Sequence, residues 1–121
     1  MSAPDPISTS IEHLDGVAVL TVGGEVDLST APAFEAAIAE ALAEEPAVLV
    51  IELSGMEFLA SAGVRVLAAA REKLGDSGQL VVVANSPVTK RPIELLGLDK
   101  TVALYPTLDD ALAATRTSAE E

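Results

Sequence analysis

Leu14-Asp-Gly-Val-Ala-Val-Leu-Thr-Val22 decides the fold class. Asp-Gly tolerates the positive φ values of a tight turn, so the chain reverses at residues 15–16. Residues 7–14 are then the outgoing strand of a hairpin, and Val17–Val22 is its return. The return is apolar on both faces, which places it in a sheet interior covered from both sides. Ala47 to Leu53 repeats this apolar, β-rich pattern, and Gln79 to Ala84 repeats it again.

Helical stripes separate these strands. Phe34, Ala37, Ile38, Ala41 and Leu42 fall at i, i+3, i+4, i+7 and i+8, which predicts a helix over 31–44. Ser29 or Thr30 can cap it, Pro32 suits its first turn, and Pro46 ends it. A second helix is predicted over 62–74, with Val64, Leu67, Ala68 and Leu74 inward and Gly75 as its stop. Ser86-Pro87 opens a short helix ending near Gly97, in which Pro92 predicts a kink or a late start. Val102 to Tyr105 reads as a short edge strand. Thr107-Leu-Asp-Asp110 resembles a capping box with Asp for Glu, opening a last helix to about Arg116.

The expected order is ββαβαβαβα: an α/β fold with a mostly parallel sheet of about five strands and four helices. The hairpin makes the sheet mixed. A single domain is expected over 7–117, with tails at 1–6 and 118–121. At 121 residues such a domain hides about 65% of its unfolded surface. Aromatic residues make up only 2%, so Val, Leu, Ile and Ala must build the core.

There is no cysteine, hence no disulfide, thiol nucleophile or cysteine-based metal site. The opening Met1–Pro6 lacks the basic end and apolar stretch of a secretory signal. No apolar run approaches the roughly 20 residues that span a bilayer. A cytoplasmic location is expected. The net charge is −12, unevenly laid out: residues 1–60 carry eleven acids and no base, a net −11. Such a field repels nucleic-acid phosphates and speeds encounter with a basic protein surface. It also simply keeps a protein soluble, and composition does not choose between these.

Two loops stand out, each after an apolar strand. They are Gly23-Gly-Glu-Val-Asp-Leu-Ser-Thr30 and Gly55-Met-Glu-Phe-Leu-Ala-Ser-Ala-Gly63. In open α/β sheets, sites gather beyond the strand ends where helices begin, so the loops are expected side by side. Ser61 has small neighbours, Ala60, Ala62 and Gly63, that leave its hydroxyl accessible. A helix N-terminus offers free N–H groups and about half a positive charge, which accept a phosphate. The competing reading makes Ser61 an N-cap worth about 1 kcal/mol. Position alone leaves both open.

Gly24-Glu-Val-Asp27 with Thr30, Ile51-Glu-Leu-Ser54, Phe58-Leu-Ala-Ser-Ala-Gly-Val64 and Gly97-Leu-Asp99 together resemble the anti-sigma factor antagonists. These are stand-alone members of the sulfate-transporter and anti-sigma-antagonist (STAS) domains. The likeness runs from about residue 7 to 116, and is nearest to actinobacterial members that regulate stress or developmental sigma factors. It implies a chain that binds an anti-sigma factor and so releases a sigma factor for transcription. It also implies that the anti-sigma factor is an ATP-dependent serine kinase whose target here is Ser61, with a phosphatase that resets the switch.

Asp27 matches the family's acidic residue on the neighbouring loop, and Gly63 its glycine. One departure is plain: the family has Asp before the serine, and here Ala60 stands there. The expected partner contacts are Asp27, Ser29, Thr30, Ala60, Ser61, Ala62, Gly63 and Arg65, with the exposed face of the second helix that carries Arg71. A monomer or weak dimer is expected, with no cofactor, metal, nucleic acid or membrane.

The alternatives are a scaffold subunit, in which Ser61 is only a cap, and a transporter's regulatory tail. An enzyme is not expected. His13 is the sole histidine and reads as a surface residue, so no Ser-His-Asp set exists without it. Glu44-Glu45 and Asp109-Asp110 read as solvated helix ends. No phosphate loop of the Gly-x-x-x-x-Gly-Lys kind occurs.

Overall fold

The computed structural model describes residues 7–120, and for 116–120 the backbone alone. The expected tail at 1–6 lies outside the described residues, as does Glu121. Asp15 and Gly16 take φ values of 48° and 84°, the two positive values of a type I′ turn. They join β1 (Ile7–Leu14) to β2 (Val17–Val26) in antiparallel register, Leu14 opposite Val17.

The chain continues as α1 (Ala31–Leu42), β3 (Val48–Glu52), β4 (Met56–Leu59), α2 (Ser61–Leu74) and β5 (Gln79–Val83). Then follow α3 (Pro87–Leu95), a 3-10 turn at Leu98–Lys100, β6 (Ala103–Tyr105) and α4 (Leu108–Glu120). The sheet runs β1-β2-β3-β5-β6, and β4 pairs with β2 beyond the end of β3. Every pairing except β1–β2 is parallel.

Both faces of this sheet are covered, as the apolar strands require. On one face Leu20, Val22, Leu49 and Ile51 pack with Phe34 and Ile38 of α1 and Val64, Leu67 and Leu74 of α2. On the other, Val19, Val50, Val81 and Val83 pack with Ala111 of α4. Alternate residues of one strand thus serve two cores.

The α/β class, the four helices and the mixed, mostly parallel sheet are as expected; the described residues form six strands where about five were expected. The extra one is β4, read from sequence as a loop. Four residues whose middle pair, Glu57 and Phe58, is exposed give no apolar run. β2 is also longer than expected. Gly24, with φ 93°, turns it through a bulge, so that its first half pairs with β3 and its second with β4.

Helix ends differ in smaller ways. α1 stops at Leu42, not 44, and Glu45 takes a φ of 51°. A residue before proline is disfavoured in the helical region, which is the push that Pro46 supplies. α3 starts on Pro87, with the Ser86 hydroxyl accepting from the Val88 N–H at 3.2 Å, and runs through Pro92 without a late start. The Thr107 hydroxyl accepts from the Asp110 N–H at 3.1 Å, which is the capping-box bond. α4 then continues past the expected end near Arg116.

Candidate functional site

The strand switch in β2 builds the site. Glu25 pairs with Phe58 and Val26 with Leu59, and the Ala60 N–H donates to the Val26 carbonyl at 2.8 Å. Asp27 and Ala60 therefore leave neighbouring parallel strands at the same level. The two loops stand side by side, as the sequence predicted.

The Asp27 loop is tied by its own carboxylate. Oδ1 accepts from the Ser29 N–H at 2.9 Å, the Ser29 hydroxyl at 2.7 Å and the Thr30 N–H at 3.1 Å. Thr30 occupies the N-cap position of α1, but its side chain does not cap. Its hydroxyl accepts from the Asp27 N–H at 2.9 Å and lies 3.0 Å from the Glu25 carbonyl. The Asp27 backbone carbonyl accepts from the Ala31 N–H, the first of the helix, at 2.9 Å.

The bond from the Ser29 hydroxyl, followed by that from the Thr30 N–H, holds the Asp27 carboxyl below its ordinary value. A depressed folded value adds stability above the unfolded pKa, and that stability is lost as pH falls through the folded one. Asp27→Asn is therefore expected to be less stable than wild type at neutral pH, and the gap to close as pH falls through the folded value, below the ordinary aspartate range. Urea melts at neutral pH and in acid check this; a gap that persists in acid contradicts it.

On the other loop, α2 begins at Ser61 and Ala60 is its N-cap, in an extended conformation with no side-chain bond. Ser61 is thus not the cap that one sequence reading made it. Its side chain is exposed and makes no hydrogen bond among the described residues. Ala60 fills the position where Asp caps well and also complements the helix dipole. Ala60→Asp is expected to raise stability by about 1 kcal/mol, read as a higher urea midpoint at unchanged slope. An unchanged midpoint would contradict the cap assignment.

The remaining expected contacts divide by burial. Ser29 and Arg65 are exposed, and Asp27, Ala60 and Ala62 are half-buried. Arg65 lies four residues after Ser61, on the same helix face. Gly63 and Thr30 are buried beneath this surface. A Cβ on Gly63 would come within 2.5 Å of Leu59 Cδ1 and 2.7 Å of Val26 Cγ1. That glycine lets α2 sit on β2 and β4. Arg71 is half-buried, and its Nη2 donates to the Gly75 carbonyl at 2.9 Å, fastening the α2–β5 turn.

A groove of about 470 Å³ adjoins Ser61, between β4 and α3. Phe58, Val88, Arg91, Leu95 and Leu96 line it together with Ser61. Sequence reasoning missed this wall. A signal was there: Val88, Arg91 and Leu95 fall at i, i+3 and i+7, a second stripe beside the buried Thr89 and Ile93.

The family model of the STAS domain matches residues 8–111. This chain belongs to the STAS domain family. Among curated STAS relatives, the anti-sigma-F factor antagonist RsfB of Mycobacterium tuberculosis is 54% identical over 116 residues, 96% of this chain and 95% of its own. A solved anti-sigma factor antagonist from Mycobacterium paratuberculosis superposes with a TM-score of 0.89 at 57% identity, over 96% of this chain and 99% of that one. The anti-sigma factor antagonist SpoIIAA, in its unphosphorylated form, shares the STAS fold with a TM-score of 0.73 at 20% identity, over 91% and 97%. Among the described residues of this STAS chain, no helix is long and apolar enough to cross a membrane.

Proposed function

We propose that this STAS chain is an anti-sigma factor antagonist of the cytoplasm, working by binding and not by catalysis. In its unmodified form it holds an anti-sigma factor and so frees a sigma factor for transcription. The anti-sigma factor is a serine kinase, and it ends its own capture by moving the γ-phosphoryl group of ATP onto Ser61. In that step the Oγ–P bond forms, the hydroxyl proton is lost and ADP leaves. A phosphatase hydrolyses the phosphoserine and restores the binding form.

One observation carries this reading: the Ser61 hydroxyl is exposed and, among the described residues, unpartnered on the first helical residue of α2, beside the Asp27 loop. The likeness to RsfB along nearly the whole chain supports it. The charge of residues 1–60 supports it too, since eleven acids and no base speed encounter with a basic partner. Asp27, Ser29, Ala60, Ser61, Ala62 and Arg65 form the contact, and Thr30 and Gly63 support it from beneath.

Incubation with ATP and the cognate anti-sigma factor, recovered by pull-down from the native host, tests the proposal. Mass spectrometry should find one phosphate, at Ser61, and none on Ser61→Ala. Phosphate at another residue, or on none, overturns it.

A further inference from the structure

We infer that the outer edge of β1 is a docking edge for another protein, which adds a basic, extended segment to the sheet as a further strand. The inference depends neither on Ser61 nor on the anti-sigma partner. β1 ends the sheet, and among the described residues no strand lies on its outer side. A free edge presents a row of unpaired N–H and C=O groups that another chain can join. Proteins blunt such edges with short strands, lysines, prolines or bulges. The opposite edge follows that rule, since β6 has three residues. β1 does not. It has eight residues, none of them lysine or proline, and its register with β2 is unbroken from Ile7 to Leu14.

The register determines which backbone groups are free. In a two-residue hairpin the pair flanking the turn is hydrogen-bonded, and bonded and non-bonded pairs then alternate along the ladder. Leu14 and Val17 are that flanking pair. Glu12, Ser10 and Ser8 therefore bond inward to β2, and the backbone groups of His13, Ile11 and Thr9 point out of the sheet. Ile7 and Ile11 pack against the core but stay half-buried. Their remaining apolar surface is what the side chains of an added strand would cover.

Charge selects the occupant. The chief neighbours of β1 are β2 and α1. Apart from His13, these three elements and the hairpin turn carry no basic side chain. They expose Glu12, Asp15, Glu25, Glu35 and Glu40. The described lysine and arginine side chains belong to α2, α3 and the 3-10 turn. A second copy of this chain would bring the same acids to the same edge and is repelled. A strand bearing Lys or Arg is attracted, and its long side chains can reach the flanking acids.

Amide hydrogen exchange, read by NMR on the full chain, tests this. The probe is a capped peptide of about eight residues alternating Lys with Val, the length of an ordinary strand. At saturating peptide the amides of Thr9, Ile11 and His13 should exchange at least about fivefold more slowly, while those of Ser10 and Glu12 stay unchanged. The same peptide with Glu for Lys should protect nothing. Thr9→Pro removes one outward donor and leaves the inward ladder intact, so it should abolish the protection with the fold kept. Glu12→Lys keeps every backbone donor and should weaken peptide binding through charge alone. Peptide binding that leaves the amides of Thr9, Ile11 and His13 unprotected is adsorption to an acidic surface, and overturns the inference, as does no binding at all. Equal protection by the Glu peptide overturns the basic occupant. Protection of the same three amides in the chain alone, growing with its concentration, makes the occupant a second copy and also overturns it.

Discussion

Ser61→Glu is expected to weaken binding to the cognate anti-sigma factor by about 30-fold to several thousandfold, while Ser61→Ala keeps it. The range follows from the cost of an uncompensated charge in a docked interface, about 2–5 kcal/mol, at about 1.4 kcal/mol per tenfold in affinity. Phosphoserine carries about −1.5 to −2 at neutral pH, so the natural modification acts at least as strongly as Glu. Two local charges bear on the size. The Asp27 carboxyl stays ionised, because the bonds from Ser29 and Thr30 depress its pKa, and it repels the new charge. Arg65 sits one turn along α2 and attracts it, but an exposed i,i+4 pair is worth only about 0.3–0.5 kcal/mol. The interfacial penalty is several times larger, so Arg65 does not rescue binding. Calorimetry on both variants decides the matter; equal affinity would remove charge as the switching agent.

Gly63→Ala is expected to destabilise the fold by about 1–3 kcal/mol, the usual cost of overpacking a filled core. The added methyl would meet Leu59 Cδ1 and Val26 Cγ1 within 2.7 Å. Leu59 has a rotatable end, but it is buried, as is Val26. A β-branched Val also has little freedom at χ1, and packing at interior density leaves no space nearby. Either the first turn of α2 lifts, carrying Ser61 with it, or the strands shift. Urea denaturation should give a lower midpoint at unchanged slope. Wild-type stability would mean that α2 does not approach the sheet as closely as the geometry requires.

Much of this fold is legible in the residues because its signals are local. Asp15-Gly16 announces the hairpin, since two consecutive positive φ values leave few residue choices. The stripe from Phe34 to Leu42 places α1 to within two residues, and the apolar runs at 17–22, 47–53 and 79–84 are the buried strands. β4 was not legible. It exists because Gly24 bends β2 sideways to receive it, a pairing between segments more than thirty residues apart, and Glu57 and Phe58 break its apolar pattern.

The site divides in the same way. Ser61 and Asp27 were readable as loop residues ahead of helices, and their adjacency followed from the parallel sheet. The position of the cap was not readable. Small residues on both sides of Ser61 carry no boundary signal, so only the fold shows that Ala60 takes the cap and leaves Ser61 its hydroxyl. The groove was hidden because exposure is a tertiary property. Leu95 and Leu96 look like core residues until α3 turns Ile93 inward in their place.

The central claim is that Ser61 lies inside the partner's footprint. An NMR titration of isotope-labelled chain with unlabelled cognate anti-sigma factor tests it most directly. The account predicts that amides of 27–30 and 60–65 shift or broaden as complex forms. Unmoved signals there, with changes gathered on α4 and β6 at the far side of the sheet, would contradict it.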